Sequence, residues 1–158
     1  MTTIAHQAQQ MSLLLGYGVL TCVDVIEWSD SAIIKMDLPL PDALLELSLT
    51  QPQNMADIIS HLRELSLGSD FWAAMRSVMP QLREFVVEHP DRAEVIANHL
   101  FQTACRAGSE LPKDLQLMYI FEGAFELARE GIWGEPLSVY RDFVLALDKF
   151  RSSLSQEG

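Results

Sequence analysis

The sequence predicts an all-α protein, a single compact multi-helix domain of about seven to eight helices over residues 1–158. Apolar residues recur at helical spacing along most of the chain, and no stretch of useful length shows the strict alternation of a half-buried strand. Prolines stand where helices can begin, as at Pro41, Pro90 and Pro136. Hydrophobic residues make up 49% of the chain and charged residues 21%, a globular composition that argues against global disorder.

Proline starts and glycine stops divide the chain into eight helical segments. Glycine ends helices after the first segment at Gly16, after the sixth at Gly108 and after the seventh at Gly131. Pro80 falls inside the fifth segment and predicts either a kink or two helices that meet there. The predicted helices cover residues 3–15, 22–36, 41–49, 52–65, 70–88, 90–107, 112–130 and 136–151. The tail 152–158 is predicted to be frayed.

The second segment has the clearest helix start. Thr21 is placed to cap it, and Asp24 stands three residues on, in the relation of a capping box. Its apolar arc is wide, so we expect the helix to pack on more than one side, with Trp28 buried together with Ile26 and Ile33. Asp30 interrupts that arc. It either caps a neighbouring helix or accepts an arginine at the edge of the core, which we favour, or it is a partly desolvated anion at a binding surface.

The sixth and seventh segments also show apolar faces. In the sixth, small and branched residues share one side, which predicts a central packing helix: Ala93, Ile96, Ala97, Leu100, Ala104 and Ala107. In the seventh, the predicted apolar side comprises Leu117, Ile120, Phe121, Ala124, Phe125, Leu127 and Ala128. Leu115 and Tyr119 then lie among polar residues, beside Glu122 and Glu126. An exposed tyrosine beside glutamates is either an ordinary surface residue, which we favour, or a binding anchor.

Charge limits the possible partners. The net charge is −11, from 22 acidic and 11 basic residues, which argues against nucleic acid and anionic membranes and favours a basic protein partner. Residues 1–60 contain seven acidic residues, and Lys35 is the only lysine or arginine among them. The candidate partner-binding residues of this acidic opening are Asp24, Glu27, Asp30, Asp37, Asp42 and Glu46. Tyr119, Glu122 and Glu126 form a competing candidate surface. The alternative for both candidate surfaces is that they bind no partner and that their charges only keep the protein soluble.

No catalytic motif is present. The four histidines lie on different segments, and no HExxH, P-loop, GxSxG or GxGxxG occurs. Cys22 and Cys105 show no CxxC spacing and are expected to be buried free thiols. We therefore expect no enzyme activity, no metal and no cofactor. No lysine or arginine precedes Lys35 and no apolar run is long enough to span a bilayer, so a cytoplasmic location is expected.

Residues 14–50 contain two short patterns, G-x-L-T-x-x-D-V-I-x-W-(A/S)-D and P-x-x-L-x-E-L-S. The first is matched by Gly18, Leu20, Thr21, Asp24, Val25, Ile26, Trp28, Ser29 and Asp30, and the second by Pro41, Leu44, Glu46, Leu47 and Ser48. This passage, about a quarter of the chain, resembles the opening of small helical bacterial proteins of the toxin-immunity type. The resemblance implies a cytoplasmic antidote that binds and blocks a cognate toxin domain, such as a nuclease. It assigns no contact residue.

Two other classes remain open. A small acidic chaperone or adaptor for a secreted protein would share every compositional feature, and an adjacent toxin-encoding reading frame would distinguish the two. An enzyme whose site is assembled from distant acids and histidines is the third class, and bound metal would be its simplest sign. The oligomeric state is not encoded in any pattern of the sequence.

Overall fold

The computed structural model describes residues 2–154, which contain eight α-helices, three short 3-10 turns and no strand. The all-α prediction is therefore confirmed. The helices are α1 (Ile4–Gly16), α2 (Cys22–Lys35), α3 (Asp42–Leu49), α4 (Met55–Leu65), α5 (Phe71–Glu88), α6 (Ala93–Ala107), α7 (Leu117–Arg129) and α8 (Pro136–Leu154). The chain forms two compact units, Met1–Val78 and Met79–Gly158, and the division falls within α5. The expectation of a single domain stays a prediction.

In the first unit, α1 packs on α4, α4 on α3, and α3 on α2. The core of this unit is largely aliphatic, since its fully buried large side chains include Leu44 and Leu47 of α3 and Ile58 and Leu62 of α4. Burying one such side chain contributes roughly 1.5–3 kcal/mol. Several short helices are therefore held together mainly by leucine and isoleucine contacts.

Helix α2 starts as predicted but packs differently. Thr21 Oγ1 accepts a hydrogen bond from Asp24 N, and Asp24 accepts one from Thr21 N, so the capping box is present. The buried residues of α2 are Val25, Ser29 and Ala32, which form one narrow stripe. The helix contacts both α3 and α1, as expected of a helix that packs on more than one side. The apolar arc is narrower than predicted, because Ile34 at its far edge is 84% exposed.

The three residues expected to be buried on α2, namely Trp28, Ile26 and Ile33, are only partly buried. They pack against the rim of the first core, and the Trp28 Nε1–H donates to Gln7 Oε1 at 3.4 Å. The indole of Trp28 thus lies at the contact between α1 and α2 and not in the interior of the core.

Other boundaries in the first unit follow local signals. Asp70 caps α5, because its Oδ1 accepts from the backbone N–H groups of Trp72 and Ala73. Helix α4 begins at Met55, three residues after Pro52, which lies in a turn. Helix α5 is continuous through Pro80, so the alternative of two separate helices is wrong.

In the second unit, α6 packs on α7 and α7 on α8. Phe143 of α8 is fully buried between the rings of Phe121 and Phe125, with centroids 5.0 and 5.7 Å away. The Tyr140 hydroxyl of α8 donates to the carbonyl of Val86 in α5. The second core is thus more aromatic than the first.

An ion pair also joins α5 to α8 within the second unit. Arg83 Nε lies 3.2 Å from Asp148 Oδ1, and both atoms are screened from solvent. The two atoms make no aligned hydrogen bond, so the contact is electrostatic. The side chains of Arg83 and Asp148 are otherwise partly exposed, so the ion pair contributes little to stability.

The predicted faces of α6 and α7 have different outcomes. On α6, all predicted packing residues are buried except Ala107, which is half-buried. On α7, the buried residues are Met118, Phe125 and Ala128, whereas Ile120 is exposed. The helical pattern placed Leu115 among polar residues, but its side chain is fully buried. The reason is that Leu115 lies in a 3-10 turn before α7 and not in the helix.

The remaining features of the fold concern the termini, the cysteines and hydropathy. Helix α8 includes residues 152–154 of the predicted tail, and residues 155–158 lie outside the described part of the chain. Cys22 is half-buried and Cys105 is exposed, so the expectation of a buried thiol is wrong for Cys105. Within the described residues, no helix combines the length and the apolar character needed to cross a membrane.

Candidate partner-binding site

Among the carboxylates of the acidic opening, Asp24 is used within the fold. Its Oδ2 accepts from both the backbone N–H and the hydroxyl of Thr21, at 2.8 and 2.9 Å. A carboxylate engaged in this way satisfies the orphan donors at the start of α2. Asp24 is therefore a capping residue, and its candidacy for partner binding is not supported by its contacts.

Two further candidates have internal partners. The carboxylate of Asp30 accepts a hydrogen bond from the Ser48 hydroxyl, which links α2 to α3, and Asp30 is otherwise exposed. The structure thus gives neither the helix cap nor the arginine pair that we favoured for Asp30, nor a desolvated anion. Glu46 of α3 lies 3.4 Å from His61 Nδ1 of α4, although it remains largely exposed.

The other three candidates of this region are free. Glu27 of α2, Asp37 of the α2–α3 loop and Asp42 of α3 are exposed, and none makes a side-chain hydrogen bond or ion pair with another described residue. We call these three residues the α2–α3 acidic set. Six predicted carboxylates are thereby reduced to three that are available for an external partner.

The competing surface contains an open cavity. A groove of about 470 Å³ lies between the start of α6 and the end of α7, and Glu122 and Glu126 both line it. Its other lining residues are Asp91, Glu94, Val95, Asn98 and Arg129. We call this the α6–α7 groove. It is open to solvent, and four of the seven described residues that line it are acidic.

The electrostatics of the α6–α7 groove are dominated by these carboxylates. Arg129 is the only basic residue among the described residues that line the groove, and it contacts the carboxylate of Glu94 and so neutralises one of the four. Asp91, Glu122 and Glu126 have no such partner among the described residues. Like charges held along one groove produce a negative potential that attracts cations and repels anions.

Tyr119 does not belong to the α6–α7 groove. Its hydroxyl donates to the carbonyl of Ala104 on α6 at 2.8 Å, and its ring lies edge-on to Phe101. The side chain is half-buried and its polar atom is already satisfied. Tyr119 is a structural link between α6 and α7. The expectation that its side chain is exposed is wrong, and a role in partner binding stays a prediction.

The pattern of the sequence missed Asp91 and Glu94. Both stand at the start of the α6 segment, where acidic residues favour the helix macrodipole, so their positions suggested only a helix start. They meet Glu122 and Glu126 because α6 packs on α7. No local spacing connects residues that are some 30 positions apart.

One serine and one histidine come close in the first unit. Ser77 Oγ lies 3.5 Å from His6 Nε2, but it lies 2.7 Å from the carbonyl of Ala74 and donates there. A serine in this arrangement back-bonds to its own helix, and its proton is directed away from the imidazole. Within residues 2–154, no group of three or more His, Cys, Asp or Glu side chains is arranged to hold a metal ion. The absence of enzyme activity stays a prediction.

Comparison with known proteins adds no assignment, since no family model, curated protein or solved structure matches the chain. The site is therefore interpreted from its own chemistry.

Proposed function

We propose that this chain is an immunity-type protein, an antidote that binds a basic toxin domain and blocks it. The observation that carries the proposal is the α6–α7 groove, in which three unpaired carboxylates and one salt-bridged carboxylate line a single open cavity. Lysine and arginine side chains of a partner would be attracted to such a groove. A nuclease is a fitting class of target, because its phosphate-binding surface is basic.

The α2–α3 acidic set gives secondary support. Glu27, Asp37 and Asp42 add exposed negative charge to the first unit, which contributes to long-range attraction of a cationic protein. The resemblance of residues 14–50 to immunity-type proteins points the same way, although its matched residues largely build a capped helix. Thr21 and Asp24 illustrate this, because they bond to each other.

The experiment begins with the protein encoded by the adjacent reading frame. Its toxin domain is purified, and its activity is measured with increasing amounts of this chain. We expect stoichiometric inhibition and an association rate that falls steeply as ionic strength rises, because the Debye length shrinks to about 8 Å at physiological salt. A neighbouring domain that is neither bound nor inhibited would remove the immunity proposal.

Charge-neutral variants locate the binding surface. Glu122→Gln with Glu126→Gln should lower the association rate by about tenfold, whereas Glu27→Gln with Asp37→Asn should lower it less. Glu64→Gln with Glu84→Gln is the matched control, since it removes two exposed charges elsewhere. Equal effects from all three pairs would mean that only net charge matters and that the groove has no special part.

A secretion chaperone or adaptor is the second candidate. Ile34, Leu38 and Leu49 of the first unit are more than 80% exposed, and a client segment would cover such side chains. A chaperone binds its client before the client folds and does not need to inhibit it. Binding confined to the unfolded form of the neighbouring protein would favour this function over the antidote.

A further inference from the structure

The turn between α7 and α8 exposes three large apolar side chains. Ile132, Trp133 and Leu137 are 66%, 77% and 58% exposed, and they lie within six residues of one another. Tryptophan is enriched among the residues that dominate protein interfaces, because it buries a large area at low entropic cost. We call these three residues the Trp133 surface.

The backbone of this turn is defined by hydrogen bonds. The N–H groups of Ile132 and Trp133 both donate to the carbonyl of Leu127, at 3.0 and 3.3 Å. Gly131 and Gly134 flank the two residues with φ of 73° and 78°, conformations that glycine adopts without strain. Trp133 is thus held outward by a bonded turn whose acceptor belongs to the last turns of α7.

Acidic residues outnumber basic ones in the part of the chain that contains the Trp133 surface. Residues 122–142 contain five carboxylates and two arginines, and one of those arginines, Arg129, already contacts Glu94. Glu126, which lines the α6–α7 groove, directly precedes the Leu127 carbonyl that holds the turn. The Trp133 surface therefore follows in sequence the end of α7 that lines the acidic groove, and a segment that is both apolar and cationic would complement the two.

We propose that the Trp133 surface docks a basic amphipathic segment of the partner protein. The apolar side chains of that segment cover Trp133, Ile132 and Leu137, and its lysines or arginines enter the α6–α7 groove. An arginine or lysine stacked on the indole face would add a cation–π attraction. This inference rests on the proposed function and names the contact through which it operates.

Fluorine NMR tests the proposal directly. The chain contains three tryptophans, so labelling with 5-fluorotryptophan gives three resonances, which single Trp→Phe variants assign. The probe is a synthetic amphipathic helix of leucines and lysines, and a peptide with glutamate in place of lysine is its control. We expect the lysine peptide to shift the Trp133 resonance saturably, with a midpoint that rises with salt. The partly buried Trp28 and Trp72 should not respond.

Each other result contradicts the proposal. A Trp133 resonance that does not move, or that moves equally with the glutamate peptide, would show that this surface does not select a basic segment. A shift that depends on protein concentration without peptide would identify a second copy of this chain as the occupant.

A variant provides a second test. Trp133→Ala should weaken peptide binding by about 30-fold, the loss typical of an interface hot spot. The matched control, Ile34→Ala in the first unit, should leave it unchanged.

The toxin domain separates this inference from the proposed function. Inhibition that survives unchanged in Trp133→Ala would overturn the docking surface and leave the antidote function standing. A peptide-dependent shift of Trp133 without inhibition of the neighbouring domain would support the docking surface and overturn the antidote function.

Discussion

Helices α2 and α7 each carry an aromatic residue that is hydrogen-bonded to a neighbouring helix, but they use their carboxylates in different ways. In α2 one carboxylate, Asp24, is bonded to Thr21 and serves the helix itself. In α7 the carboxylates of Glu122 and Glu126 instead line an open groove. Similar residue types at helical spacing thus give a capped helix start in one unit and a charged cavity in the other. What differs is where the carboxylates lie, since Asp24 stands in the first turn of α2 beside Thr21, whereas Glu122 and Glu126 lie where α7 packs on α6.

Trp28→Ala is expected to have the largest effect among the variants that test this difference. Since the indole is partly exposed, the loss should be about 1.5–3 kcal/mol, below the 3–5 kcal/mol typical of a fully buried aromatic. Urea unfolding followed by circular dichroism measures it. A loss above that range would mean that α2 depends on Trp28 as a core residue, and a loss near zero would make the indole a candidate partner contact.

Thr21→Ala tests the internal use of Asp24. The substitution removes the hydroxyl that accepts from Asp24 N, and we expect a loss of about 1 kcal/mol, as for other N-cap residues. Asp24→Ala should cost a similar amount, because the two side chains act as one box. Additive losses in the double variant would contradict this coupling.

Tyr119→Phe tests the internal use of the aromatic residue in α7. The ring contact with Phe101 is kept, but the hydrogen bond to the Ala104 carbonyl is lost, so we expect about 0.5–1.5 kcal/mol of destabilisation. Partner binding should not change. Binding that weakens while the free energy of unfolding stays constant would return Tyr119 to the binding surface.

Glu122→Gln with Glu126→Gln should have the smallest effect on stability. Both side chains face the groove, so the free energy of unfolding should stay within about 0.5 kcal/mol of the parent, as for most surface substitutions. If the free energy of unfolding changes, it should rise slightly, because the repulsion among neighbouring carboxylates is relieved. A clear loss would show that these glutamates support the fold.

The sequence predicted best the features that depend on neighbouring residues. The Thr21–Asp24 box and the buried side of α6 both follow from spacing within one helix. Two predictions failed for different reasons. Ile34 is exposed although it lies on an apolar arc, because the packing partner selects the face. Leu115 is buried although the helical pattern placed it among polar residues, because the chain forms a 3-10 turn at that position.

The candidate site shows the same limit more sharply. Glu122 and Glu126 were identified from spacing on one helix, but Asp91 and Glu94 complete the groove only because α6 and α7 pack together. Asp24, Asp30 and Glu46 were equally plausible from composition, yet each has an internal partner. Composition indicates how much charge a chain carries, whereas tertiary contacts decide which charges stay available.

The two glycines around the Trp133 turn have a consequence for protein engineering. Gly131 and Gly134 adopt the positive φ angles of the turn, and its hydrogen bonds to Leu127 come from backbone N–H groups. The conformation of the turn therefore depends little on which side chains stand at positions 132 and 133. A combinatorial library at those two positions would alter the exposed chemistry while the helices keep their connection. The turn is thus a ready point for redirecting the molecule to new targets.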